Sequence, residues 1–280
     1  MKLVRFGEPG RERPGLIDAT GTLRDLSSVL PELDGAALAP PSLARLRSIV
    51  PASLPIVAPG TRLGTPLAGI GKIVGIGLNY ADHALEANLP IPTEPVVFLK
   101  STSALTGPDD PVFLPPGSEK TDWEVELAVV IGSVARQVPV ADALGHVAGY
   151  CLGLDLSERH WQLERGGQWT KGKSFDSFAP IGPWLATPDE LPAVGELALE
   201  LAVNGETFQR GSTATMIFGV AQLISYVSNL MTLQPGDLML TGTPAGVGLG
   251  QKPPRYLRSG DRIVASIPGL GEQRHNVVAR

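Results

Sequence analysis

Proline and glycine set the first limit on this chain. Its 26 prolines and 33 glycines are spread along the whole length. Each tends to interrupt regular structure, so long helices have little room to form. The pattern predicts many short elements joined by turns, a mixed α+β and β-rich fold in place of a helical bundle. At 280 residues, 43% of them apolar, the chain has material for one large domain, or for a catalytic domain with a small appendage.

Residues 1–70 read as a small N-terminal α/β module. LVRF and GLIDA look like short strands and SLARLRSI like a helix, while the Pro-rich PASLPIVAPGTRLGTP reads as a linker. The main domain then spans 71–280. KIVGIG reads as a buried strand, and EVELAVVIG begins with alternation and ends as an apolar run. LALELAVNGETFQ alternates around Asn204-Gly205, a hairpin signal. MIFGVAQLISYVSNLM has the i, i+3, i+4 apolar spacing of a helix, and DRIVASIP reads as a late strand. Regular strand–helix alternation is missing, which disfavours a doubly wound sheet.

The net charge of −5 comes without any run of like charges. That argues against nucleic-acid and membrane-surface partners, which favour clustered Lys and Arg. The single cysteine, Cys151, excludes an internal disulfide and a multi-cysteine zinc site, and its apolar context GYCLGLDL reads as a buried thiol. With no signal-peptide pattern at the N-terminus and no apolar stretch near ~20 residues, a cytoplasmic location is expected.

The segment TDWEVELAVVIG carries the first chemical signal. Glu124 and Glu126 lie two apart, so on a strand both carboxylates leave the same face. They are either the spaced acids of a solvated edge or a pair that shares a hard divalent cation. Asp155, at the end of the apolar run in GYCLGLDLSERHWQ, is either a helix N-cap with Glu158 three residues on, or a further ligand. Spacing alone does not bring it to the glutamates. His83 and Glu86, in GLNYADHALEAN, share one face of a helix, as a surface ion pair or as a general base with its orienting carboxylate. His146, His160 and His275 have no comparable partner in sequence, although His160 follows Arg159.

GQWTKGKS, from Gly167 to Ser174, satisfies the phosphate-loop pattern formally. Its context is wrong. A polar segment precedes it where a buried strand is needed, and Pro180 and Pro183 follow where a helix should run. Lys173 is left as a cation suited to receive a carboxylate. PGDLMLTGTPAGVG is a strand flowing into a Gly-rich turn, which either offers backbone N–H groups to an anion or is a tight structural turn.

Taken in order, GLNYADHALE, PVVFLKSTSAL, TDWEVELAVVIG, GYCLGLDLSERHWQ, KGKSFDSFAPIGPW, VNGETFQ and GDLMLTGTPAGVG resemble the fumarylacetoacetate hydrolase family. The resemblance implies a β-roll fold, a homodimer, and Mg²⁺ or Mn²⁺ held by Glu124, Glu126 and Asp155. It implies that His83 and Glu86 form a catalytic dyad on a mobile lid, with Lys173 serving the chemistry. Arg159, Gln162, Thr243, Lys100 and Ser103 match positions used around the substrate. The first 70 residues and the strings SEKTDWEVEL, ERGGQWTKGKS and PGLGEQRHNVV look most like the subgroup acting on 2,4-diketo-3-deoxy sugar acids such as fuconate and rhamnonate derivatives. Relatives of that kind are often labelled ureidoglycolate lyases.

Two departures from the family pattern stand out, Leu154 in place of Asn and His160 in place of an acid. The implied reaction is metal-dependent hydrolysis of the C3–C4 bond of a 2,4-dioxo acid to pyruvate and a carboxylic acid. Oxaloacetate decarboxylation, hydroxy-diene-dioate isomerisation, a ureidoglycolate lyase and a non-catalytic binding protein are the alternatives.

Overall fold

The computed structural model describes residues 1–191 and 193–280. The chain opens with antiparallel strands β1 (Lys2–Phe6), β2 (Arg13–Ile17) and β3 (Leu23–Asp25), then helix α1 (Pro40–Arg47). Strand β4 (Ile73–Gly77), helix α2 (Ala81–Glu86) and strand β5 (Val96–Lys100) follow, with the short strands β6 (Leu105–Thr106), β7 (Val112–Leu114) and β8 (Thr121–Asp122). The middle of the chain forms β9 (Val125–Ile131), β10 (Val147–Leu154), β11 (Ser157–Glu158), α3 (Arg159–Leu163), α4 (Thr170–Lys173) and β12 (Ala179–Ala186). It closes with β13 (Ala198–Val203), β14 (Glu206–Ser212), α5 (Val220–Leu230), β15 (Leu238–Leu240), β16 (Arg262–Ile267) and β17 (Gly271–Ala279).

The result is a β-rich mixed fold of two main sheets. The larger runs β3-β2-β1-β12-β10-β9-β15-β4-β5, with β6 paired to β12; the smaller runs β14-β13-β16-β17-β7. Strand β9 lies near the middle of the larger sheet, and all seven of its residues are buried. That explains its near-continuous apolar run, because a strand covered on both faces has no solvated side to alternate toward. Residues 1–70 are joined to the rest by the sheet itself. Lys2 and Leu3 pair with Ala186 and Leu185 of β12, and Leu3, Leu16, Leu26 and Leu33 belong to the same core cluster as β9. The Pro-rich stretch also makes single bridges, Ile56 to Arg24 and Leu63 to Phe6.

Local signals account for the β13–β14 turn and for the start of α5. Asn204 and Gly205 both have positive φ (54° and 83°), as a two-residue hairpin turn requires between β13 and β14. The helix expected over MIFGVAQLISYVSNLM begins only at Val220. Gly219 caps it, with its N–H donated to Gln222 Oε1 at 2.9 Å. The residues before it are held instead by Asn79, whose backbone and side-chain oxygens accept the N–H groups of Ile217 and Phe218, each at 2.8 Å. Among the described residues no helix is long and apolar enough to cross a membrane.

Candidate active site

The carboxylates meet where β9 and β10 run antiparallel. Register pairs Leu154 with Val125, so the residue after β10 lands beside the residue before β9. The Asp155 N–H donates to the Glu124 carbonyl at 2.9 Å, fixing that juxtaposition. Asp155 therefore caps no helix, since α3 starts four residues later with Glu158 at its N-cap position. Glu124 and Glu126, on either side of Val125, leave the same face of the strand entry. Ligand oxygens of Glu124, Glu126 and Asp155 all lie within 4.8 Å of one another, and all three residues are buried.

Cations surround this cluster unevenly. Lys173 Nζ lies 2.8 Å from Glu124 Oε2 and 2.7 Å from Asp155 Oδ2, and Lys100 Nζ sits at Asp155 Oδ1. Arg159 reaches Glu124 Oε1 at 2.7 Å and Asp122 Oδ2 at 2.8 Å, and its Nη1 donates to Gln162 Oε1 at 2.9 Å. Burial alone would raise the Glu124 carboxyl, yet Lys173 and Arg159 outweigh it and hold the group down to about 2. Glu126 goes the other way. Burial, with Asp155 and Glu124 as like-charged neighbours, pushes it well above the ordinary carboxylate range. Its Oε2 accepts the Gly242 N–H at 2.6 Å, and among the described residues no lysine or arginine pairs with it.

These facts test whether a metal fits. Four buried acids (Asp122, Glu124, Glu126, Asp155) face three buried cations (Lys100, Lys173, Arg159), which leaves the cluster one positive charge short. The missing charge is at Glu126. Its donor set is entirely carboxylate oxygen, which selects a hard divalent cation over a soft one. The residues fit such an ion. Burial lowers the pKa of Lys100 and of Lys173 alike, but only at Lys173 do the carboxylates, Asp155 foremost, more than reverse it.

Across the cavity, α2 presents His83 and Glu86. Their side chains meet at 3.1 Å, Nδ1 to Oε2, and His83 is 9% exposed. The other Glu86 oxygen, Oε1, accepts the Gly246 N–H at 2.9 Å. The Gly-rich turn thus spends its amides on the protein's own acids and not on a free anion. Gly242 serves Glu126, Gly246 serves Glu86, and Gly248 and Leu249 serve Asp122 at 2.6 and 2.9 Å. Thr243 Oγ1 donates to the Val125 carbonyl at 2.8 Å and receives Gln209 Nε2 at 2.7 Å, while Gln209 Oε1 accepts the Val125 N–H at 2.9 Å.

Most of the residues singled out by sequence converge here, and a few do not. A cavity of about 470 Å³ is lined by His83, Glu86, Glu124, Glu126, Arg159, Gln162, Lys173 and Thr243. Lys100 sits behind Asp155, fully buried, outside that lining. Ser103 is exposed, bonded to Ser101 at 2.8 Å, and is not part of the lining. His160 also stays outside it, partly exposed and paired with Glu164 at 3.1 Å. Leu154 is buried in the core. The phosphate-loop look-alike, Gly167 to Ser174, begins in the turn after α3 and contains the single turn of α4, and its lysine is paired with Glu124 and Asp155. Sequence reasoning missed Asp122 and Gln209. Each is a polar residue at a fully buried position of an otherwise ordinary strand segment, which is the only signal they give.

A mixed sheet that gathers oxygen ligands at one strand entry, opposite a carboxylate-oriented histidine, defines an enzyme of the metal-dependent hydrolase and isomerase class that acts on ketonic substrates. More narrowly, the chain belongs to the fumarylacetoacetate hydrolase family: residues 72–278 match the family profile described as fumarylacetoacetate (FAA) hydrolase C-terminal. A Burkholderia multivorans protein provisionally named a hydrolase is 57% identical over 274 residues, covering 98% of this chain and 97% of that one. The fumarylacetoacetate hydrolase of Exiguobacterium antarcticum superposes with a TM-score of 0.86 at 36% identity, over all of both chains. Maleylpyruvate hydrolase of Sphingobium sp. SYK-6, in complex with manganese(II) and pyruvate, gives 0.82 at 31%, covering 100% of this chain and 99% of that one.

Proposed function

We propose that this enzyme hydrolyses the C3–C4 bond of a 2,4-dioxo acid, releasing pyruvate and a carboxylic acid, with Mg²⁺ or Mn²⁺ held by Glu124, Glu126 and Asp155. The observation that carries the reading is Glu126. It is a buried carboxylate short of a cation, in a cluster that faces a histidine–glutamate pair across one cavity. The manganese and pyruvate bound by the Sphingobium relative support it. When bound, the divalent ion supplies positive charge for the 2-oxo acid end and for the enolate that develops there.

The chain's own residues supply the rest. His83, oriented through Nδ1 by Glu86, takes a proton from water at Nε2, and the hydroxide adds to C4. The C3–C4 bond then breaks with its electron pair moving to C3, and C3 is reprotonated to give pyruvate. Water supplies the oxygen of the new carboxylate and the hydrogen delivered to C3. Lys173, fixed by two carboxylates, is a preorganised positive charge where negative charge develops, and Arg159 and Gln162 orient the substrate. Thr243 holds the strand entry in place from the Gly-rich turn. Lys100 acts only through Asp155. Decarboxylation of a 2-oxo diacid would use the same metal but needs no water-activating base, so the His83–Glu86 pair favours hydrolysis.

The deciding experiment follows pyruvate release from acetylpyruvate with and without Mg²⁺ or Mn²⁺. Metal-dependent release that chelation abolishes is expected. Calorimetric binding of both ions without turnover of any 2,4-dioxo acid would reject hydrolysis and leave decarboxylation or isomerisation. The working form is proposed to be a cytoplasmic homodimer, which sedimentation equilibrium checks.

A further inference from the structure

The cavity lining has two unlike sets of residues, and the second says what the substrate carries. Leu78, Leu89, Leu163, Trp169, Val247 and Leu249 line it together with the acids and bases already described. They arrive from separate segments: the end of β4, the end of α2, the end of α3, the turn before α4, and the Gly-rich turn. Leu89, Leu163 and Leu249 are 45%, 45% and 36% exposed. Leucines that line a cavity and keep surface open to water are surface that a ligand can cover.

The wall they form is built. Trp169 packs against Phe98 with ring centroids 5.6 Å apart. Gly77 makes room for it, since a Cβ there would stand 2.4 Å from Trp169 Cζ3. An indole held in this way offers a fixed apolar face.

Charge makes the complementary argument. Only two lining residues are lysine or arginine, and both stand at the acid cluster. Lys173 pairs with Glu124 and Asp155, and Arg159 with Asp122 and Glu124. His83 is engaged by Glu86. A second carboxylate at the far end of a substrate would lose its hydration and meet leucine and tryptophan with no cation to receive it, which is unfavourable. A polyhydroxylated chain would find only Asn88 among the leucines and Trp169 there, too few polar groups to serve its hydroxyls.

We infer that the substrate's acyl group is uncharged and apolar, an alkyl or aryl chain seated against Trp169 and the three leucines, and not a dicarboxylate or a sugar-acid chain. This rests on the reading of the site as one for a 2-oxo acid, and it names the other half of the molecule.

Binding and turnover test it separately. Calorimetry in the presence of Mn²⁺ would compare 2-oxobutanoate, 2-oxohexanoate and 2-oxooctanoate with 2-oxoadipate, none of which has a C4 carbonyl to hydrolyse. Affinity should rise about fourfold per methylene, which corresponds to ~0.8 kcal/mol, and 2-oxoadipate should bind at least ~10-fold more weakly than 2-oxohexanoate. Leu163→Arg should narrow or reverse that last gap by ~10-fold, because it adds a cation among the apolar lining residues. Turnover of hexanoylpyruvate and benzoylpyruvate should exceed that of maleylpyruvate and of a 2,4-diketo-3-deoxy sugar acid by at least ~10-fold in kcat/KM. Flat affinity along the series, or equal or better binding of 2-oxoadipate, overturns the inference even if acylpyruvates are cleaved. Chain-length-dependent binding with no cleavage of any acylpyruvate upholds the inference and removes the hydrolase reading instead.

Discussion

Replacing Glu126 by glutamine removes one negative charge and almost no volume, so its effect separates charge from packing. Because burial and two acidic neighbours already make its ionised form costly, Glu126→Gln is expected to leave the melting temperature unchanged or raised. Mn²⁺ affinity should fall at least ~10-fold and turnover at least ~100-fold, since a charged ligand is lost. Calorimetry, circular dichroism and pyruvate release together check this, and retained turnover in a folded variant would remove the metal from the mechanism. His83→Ala should behave differently. Its kcat should drop by about 10²–10⁴ with Mn²⁺ affinity within about threefold, because the imidazole serves water and not the ion. A large loss of Mn²⁺ affinity would make His83 a ligand. Cys151 makes a third contrast. Burial pushes its thiol far up, so a disulfide exchange reagent should label the native protein at least ~100-fold more slowly than the protein in guanidinium.

At the scale of elements, the pairing of Glu124 with Glu126 was legible because strand alternation alone puts both on one face. So was His83 with Glu86, through helical spacing. Asp155 was not, because what brings it in is the antiparallel register of β9 against β10 and one hydrogen bond to Glu124, and register across a 15-residue connection (132–146) leaves no local trace. The family resemblance supplied Asp155, not the spacing. Asp122, holding Arg159, escaped for a similar reason, since nothing in TDWEVEL separates it from a surface acid. The Gly-rich turn is legible as either an anion-binding or a structural turn, and neither reading names its partners, three of the protein's own carboxylates. Gly250 turns this into a test. A Cβ there would stand 2.3 Å from Glu86 Cδ, the far end of a flexible side chain. Gly250→Ala should therefore cost little stability, within about 1 kcal/mol, yet swing the carboxylate away from His83. A ~10- to 100-fold loss of kcat with unchanged Mn²⁺ affinity is expected, and unchanged kcat would show that His83 needs no such orientation.

For the whole molecule, the question raised by the Pro-rich stretch is whether residues 1–70 are an appendage. They supply three strands of the larger sheet and several of its buried leucines. A chain reduced to 71–280 would bare one side of β12 and the apolar surface those leucines cover. It should lose cooperative thermal unfolding and aggregate, whereas a truncated chain that melts sharply and binds Mn²⁺ would establish the segment as dispensable. The wiring of the acids has another consequence. Glu126, Glu86 and Asp122 are all anchored by main-chain amides of one turn, while Val247 and Leu249 of that same turn face the cavity. Point mutation rewrites side chains and leaves peptide groups in place, apart from changes to proline. A lineage carrying this turn can therefore exchange the residues that meet the acyl group again and again, exploring new diets, while the chemistry beneath is inherited intact.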